Sequence, residues 1–153
     1  MAGYLPIWFV IRGAIAVVEF DCSIGHPILL MRDREWIRSE ADRLLLILST
    51  TSFSEGHPLT RDFALLTTRP GIYAFVHPPI GTLYIGKSKN IRQRLRGGHK
   101  ALGWAFIDRL DPNDVRIIAL PLGLEAARQS LDIEARMIQI ARPRYNVQIR
   151  NEE

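Results

Sequence analysis

The sequence predicts an α+β domain on a small sheet, preceded by an N-terminal extension of mixed strand and helix. Three observations lead there. Residues 71–77 and 82–86, "GIYAFVH" and "TLYIG", are short apolar runs on either side of "PPIG", which is the pattern of an antiparallel hairpin. "VRIIAL" (115–120) reads as a third strand by its β-branched content. Helical segments fall between and after these runs, so the order from residue 70 onward is β-β-α-α-β-α.

The elements follow in chain order. "MAGYLPIWFVIRGAIAVVEF" is apolar from Leu5, interrupted by Arg12 and closed by Glu19 and Asp21. Its uninterrupted stretches fall short of the roughly 20 residues a membrane span needs, and no positive charge precedes them as in a secretory signal. A strand or strand pair is expected, with no membrane partner. A turn around "SIGHP" leads into "DREWIRSEADRLLLIL", where Trp36, Ile37, Glu40, Leu44, Leu45 and Leu48 form the stripe of an amphipathic helix. Asp33 is its predicted N-cap, with Glu35 supporting the first turn. "STTSFSEGHPLT" reads as a loop and marks a boundary, dividing the chain into a region 1–66 and a domain 67–150. A basic helix should begin near Asn90, a capping residue, and end at Gly97-Gly98. "KALGWAFIDRL" is a second helix stopped by "DPND", and "LEAARQSLDIEARMIQIA" is a long helix that must end before Pro143.

Of the 153 residues, 47% are hydrophobic and 24% charged, as expected of a globular fold. A single cysteine, Cys22, excludes an internal disulfide framework and a Cys-rich zinc site. It suits a reducing, cytoplasmic setting and reads as a small buried apolar residue. The net charge of +4 is unevenly spread: residues 1–69 carry 7 Lys+Arg against 8 Asp+Glu, and residues 70–153 carry 13 against 8. "KSKNIRQRLRGGHK" (87–100) holds six basic residues and no acidic one. Such a run is either a solvated face or the footprint of a phosphate-backbone binder.

Four residues are not explained by fold alone. Tyr73 and Tyr84 sit in the middle of the two hairpin strands, where tyrosine serves strand packing or chemistry. Glu134 falls between Leu131 and Ile138 on what reads as the apolar stripe of the last helix. A carboxylate so placed needs either an arginine partner or a bound cation. Arg94 lies beside the inward positions Ile91 and Leu95 of the basic helix, whereas Arg92 and Arg96 point elsewhere. Its guanidinium either snorkels to water or enters a cleft suited to holding a phosphate through two parallel bonds.

The pattern "GIY", ten residues, then "YIG", followed by "GKSKNIRQRLR", a later helical Glu and a closing "PRYN", resembles the GIY-YIG nuclease family over residues 70 to 148. Residues 1–66 lie outside the resemblance. The family implies a three-stranded antiparallel sheet flanked by helices, and hydrolysis of DNA with one divalent metal, Mg²⁺ or Mn²⁺. By position it assigns Tyr73 and Tyr84 as the motif tyrosines, with Gly71 and Gly86 beside them. Lys87 follows "YIG" as in the repair-incision branch, and Arg94 is the family arginine. Glu134 would be the metal carboxylate, and Asn146 the structural asparagine.

Each residue type suits the reaction. A single carboxylate leaves Mg²⁺ most of its waters and its Lewis acidity. Arg94 offers a two-pronged clamp for phosphoryl oxygens. A tyrosine accepts a proton from water only if its acidity is raised, which Lys87, Arg94 and a metal would favour. Tyr73 is then the base or water positioner and Tyr84 its partner, a division that is reversible. Lys89, Arg92, Arg96 and Lys100 are expected to contact the nucleic-acid backbone. One departure stands out. The family places a His or Tyr four residues after the arginine, but that position here is Gly98, and His99 comes one residue later. Either His99 fills the role through a local shift or the role is vacant. An active endonuclease is thus expected, against a binding module without turnover that serves a larger complex. Restriction, repair, mobile-element cleavage and single-strand degradation all remain compatible with the sequence. The apolar N-terminal run is open to use as a homodimer interface.

Overall fold

The computed structural model describes residues 5–11, 14–20, 27–60 and 62–146. The chain divides into two compact units, residues 1–35 and 36–153. In the first, β1 (Leu5–Ile11) and β2 (Ala14–Phe20) pair antiparallel, from Leu5 opposite Phe20 to Ile11 opposite Ala14. The apolar N-terminal run is therefore a strand pair. Cys22 and most of the expected "SIGHP" turn lie outside the described residues.

The helix predicted from Asp33 begins earlier, so α1 spans Pro27–Thr50 and Asp33 is an exposed position inside it. Proline suits a first helical turn, where its missing N–H is not needed, and the Leu, Met and Arg that follow are good helix formers. Within the second unit α1 buries Ala41, Leu44 and Leu48, and leaves Trp36 exposed.

The second unit holds a four-stranded antiparallel sheet in the order β3-β6-β4-β5. β4 (Gly71–His77) and β5 (Gly81–Ser88) form the predicted hairpin, and β6 (Arg116–Pro121) pairs with β4 on its other side. The expected three strands gain a fourth, β3 (His57–Pro58), drawn from the segment read as a loop. A two-residue strand has no periodicity to read, and Pro58, which lacks an N–H, suits a sheet edge. Gly56 permits the approach, because a Cβ there would lie 2.6 Å from the Cβ of Arg116.

β4 is one of the two inner strands and is buried on both faces. On one face Ile72, Ala74, Ile85 and Ile118 pack against α1 and against Ala126, Ile133 and Met137 of α4 (Leu124–Arg128) and α5 (Ser130–Ala141). On the other, Tyr73, Phe75, Leu83 and Ile117 pack against α2 (Ile91–Arg96) and α3 (Lys100–Ile107). The long last helix is thus two helices, broken at Gln129, where φ −94° and ψ 11° leave the α region. α5 ends at Ala141, ahead of Pro143 as expected.

Candidate active site

In the hairpin register Tyr73 is opposite Gly86 and Phe75 opposite Tyr84, so both tyrosines stand on the α2–α3 face. A bulge follows: Val76 pairs with Thr82, leaving Leu83 as an extra residue. The tyrosine rings lie 6.0 Å apart, tilted by 34°. Gly86 makes room for them. A Cβ at that position would be 2.7 Å from the Tyr73 hydroxyl and 2.6 Å from the Tyr84 ring. Gly71 is equally confined, with the Leu120 carbonyl oxygen 2.4 Å from where its Cβ would stand. The motif glycines are thus required by close approach.

The basic helix α2 begins as predicted, with the Asn90 side chain accepting the N–H of Gln93 at 3.0 Å. Ile91 and Leu95 are buried. The helix ends at Gly97, and Gly98 takes φ +83°, a left-handed angle that favours glycine. That reversal turns the next residue inward. His99 is buried and caps α3, its Nδ1 accepting the Ala101 N–H at 3.1 Å. Its Nε2 lies 2.8 Å from the Tyr73 hydroxyl oxygen, and its ring centroid 4.6 Å from that of Tyr84. The structure therefore brings His99 to the tyrosines despite the one-residue shift.

Glu134 reaches the site from the other face of the sheet. The stripe predicted for α5 needs correction, because Leu131 is 63% exposed and the buried side chains are Ile133 and Met137. The break at Gln129 changes the helical phase, so spacings counted across it do not share a face. Glu134 instead flanks the buried face, half-buried, and its Oε1 accepts the backbone N–H of Lys87 at 2.8 Å. Among the described residues it forms no salt bridge, so the arginine partner weighed above is not found. No group of three or more His, Cys, Asp or Glu occurs there that could hold a metal. A lone carboxylate with one oxygen anchored and no salt bridge among the described residues fits a hydrated divalent ion of the Mg²⁺ type.

Asn146 pins the middle of the edge strand. Its Oδ1 accepts the Ile85 N–H at 2.9 Å and its Nδ2 donates to the Ile85 carbonyl at 2.8 Å. Beside it, the buried Tyr145 donates its hydroxyl to Asp108, which also pairs with Arg144.

Burial dominates the acidities here. It pushes the Tyr73 phenol well above its usual value, with Tyr84 adding to the rise and Arg94 opposing it. Tyr84 is raised for the same first reason, then by the Glu134 charge. The expectation that nearby cations make these phenols more acidic is therefore reversed in the metal-free site, because lost hydration outweighs Arg94. Burial, then the charge of Arg94, holds His99 down to about 4, so its imidazole is neutral at pH 7. Burial raises Glu134, and the N–H and charge of Lys87 offset part of the rise.

The remaining basic residues surround this centre. Arg94 is exposed, and one guanidinium nitrogen donates to the Gly98 carbonyl at 3.2 Å, across the α2–α3 turn. Arg92 is half-buried and donates through Nε to the Leu66 carbonyl at 2.8 Å. Arg92 and Arg96 line an open groove of about 560 Å³ with Thr68, Asn90, Gln93 and Gly97. Lys89, just ahead of α2, and Lys100, the first residue of α3, are exposed. Sequence reasoning missed the Lys87 main-chain N–H, the Ala101 N–H and the role of Thr68 and Gln93 in the groove. Only "GG" before a histidine hinted at any of these.

A hairpin carrying "GIY" and "YIG" on facing strands, with helices on both faces and a later Glu beside it, defines a GIY-YIG domain. The family model of the UvrC-like GIY-YIG domain matches residues 69–147, and the chain belongs to that family. Among curated proteins it is 32% identical over 99 residues to UvrABC system protein C of Chlorobium chlorochromatii, covering 62% of this chain and 15% of that protein. The protein of the same name in Rhodopseudomonas palustris is 31% identical over 100 residues, covering 62% and 13%. In Nitrobacter winogradskyi it is 33% identical over 87 residues, covering 56% and 12%. The match thus spans only a small part of these relatives. No solved structure matches the chain. Among the described residues no helix is long and apolar enough to cross a membrane.

Proposed function

We propose that this domain is a divalent-metal-dependent endonuclease that hydrolyses DNA phosphodiester bonds. The observation that carries the reading is the Glu134 carboxylate, half-buried without a salt bridge among the described residues and tied to the strand that bears Tyr84. A charge held this way costs stability unless a cation occupies it, which points to a ligand rather than a structural pair. Mg²⁺ or Mn²⁺ bound there supplies Lewis-acid charge to the phosphate and the leaving oxygen. Tyr73 orients the attacking water through its hydroxyl, and Tyr84 shares that surface. Lys87 and Arg94 oppose charge that grows on the phosphate; Arg94 is free to exchange its exposed Gly98 contact for a two-pronged one. Lys89, Arg92, Arg96 and Lys100 hold flanking phosphates, with the groove beside Thr68 and Gln93 as one stretch of that path.

Residues 1–66 act in this reading as a recognition or dimerisation element for domain 67–150, in the reducing cytoplasm. The test is nicking of supercoiled plasmid with Mg²⁺, with chelator and with Glu134→Gln. Cleavage that needs both metal and Glu134 supports the reading. A shifted band without nicking would establish a DNA-binding module without turnover, the alternative that the Gly98 departure favours.

A further inference from the structure

We infer that His99 is locked by the N-terminus of α3 with its proton on Nε2, and so donates to the Tyr73 oxygen rather than accepting the Tyr73 proton. A backbone N–H only donates, so the Ala101 N–H on Nδ1 requires a lone pair there. A neutral imidazole carries one N–H, which must then be on Nε2, the atom 2.8 Å from the Tyr73 oxygen. The tautomer is set by the main chain of a neighbouring helix and, through it, by the left-handed Gly98 that aims the ring.

Two consequences follow for the site. The Tyr73 hydroxyl proton is not spent on His99 and is left to the neighbouring Tyr84 oxygen or to a water or phosphate that replaces it. Its oxygen, meanwhile, receives an N–H that stabilises negative charge on it, against the strong opposing effect of burial. His99 is therefore a positioning residue acting through Tyr73, and it is not a relay for the Tyr73 proton. This catalytic part rests on the nuclease reading; the tautomer itself does not.

Long-range ¹⁵N–¹H NMR of the full chain at neutral pH tests the tautomer whether or not the protein cuts DNA. The expected spectrum has a pyridine-type Nδ1 and a pyrrole-type, protonated Nε2 for His99. The opposite assignment, or a rapidly exchanging mixture, overturns the proposal. Single-turnover cleavage with three variants tests the consequence. His99→Ala should slow cleavage by about a hundredfold, the scale of a misplaced reacting group. His99→Gln, whose amide N–H overlays Nε2 but cannot take up a proton, should recover most of that loss. His99→Asn, which keeps the helix cap but cannot reach Tyr73, should stay folded and remain as slow as His99→Ala. A Gln variant as slow as Ala, beside a wild type that cleaves, would mean that His99 acts as a base. Asn at wild-type speed would reduce it to a helix cap.

Discussion

Replacing Glu134 by glutamine keeps an acceptor for the Lys87 N–H and removes the charge. Metal-dependent nicking should fall on the order of a thousandfold. Because burial raises the carboxyl's pKa above its ordinary value and so makes it a weaker acid, ionisation at pH 7 opposes folding. The melting temperature of Glu134→Gln in chelator should therefore equal or exceed that of wild type; a large drop would make Glu134 a structural residue. Arg94→Lys removes the planar fork but keeps the charge, and cleavage measured at saturating enzyme should fall by about a hundredfold. His99 also makes a pH prediction. Its folded value of about 4 lies below the ordinary 6.5, so the unfolded chain binds more protons between them. Its contribution is present in full above pH 6.5 and is lost as pH falls toward 4. Denaturant titrations at pH 7 and pH 5 should show wild type losing on the order of 2 kcal/mol more than His99→Asn does.

At the scale of elements, the α2–α3 link is the device that positions the histidine, and its two glycines are not equivalent. Gly98 has open space around its Cβ position but φ +83°, so Gly98→Ala should cost about 1–2 kcal/mol from backbone strain alone. The same change should slow cleavage, because the strained link re-aims His99. Gly97 has φ −73° and no neighbour closer than 3.8 Å, so Gly97→Ala should be neutral or stabilising by a few tenths of a kcal/mol. Thermal melts and single-turnover rates of the pair check both halves. Equal penalties would mean that crowding rather than backbone angle governs this link. The hairpin depends on a different constraint. Gly86→Ala would drive a methyl into the Tyr73 and Tyr84 rings, a displacement expected to cost about 1–3 kcal/mol.

Across the whole molecule, positive charge is concentrated where the family motif lies, in the run from Lys87 to Lys100. Contacts of that kind give binding that weakens steeply with salt, since each neutralised phosphate releases counterions. The double variant Arg92→Ala, Arg96→Ala should reduce the slope of log affinity against log salt by roughly 2. Its cleavage rate once bound should stay close to wild type. An unchanged slope, measured by fluorescence anisotropy over a salt series, would remove the groove from the DNA path.

Local chemistry made much of this legible in advance. The hairpin, the Asn90 cap, the stop at Gly97-Gly98 and the end of α5 before Pro143 each depend on residues within a turn or two of one another. The types and order of Tyr73, Tyr84, Lys87, Arg94 and Glu134 were likewise plain in the linear pattern, and all five lie within the family match over residues 69–147. Tertiary structure decided the rest. Tyr73 meets His99 across 26 residues, and Lys87 meets Glu134 across 47. Such contacts follow from strand register and helix docking, which no local spacing encodes. The break at Gln129 changed the face of Glu134, and a two-residue strand too short for any pattern completed the sheet. The direction of the tyrosine shifts was also set there. Charge near a phenol can be read from sequence, but the water taken away from it is known only once the chain has closed around it.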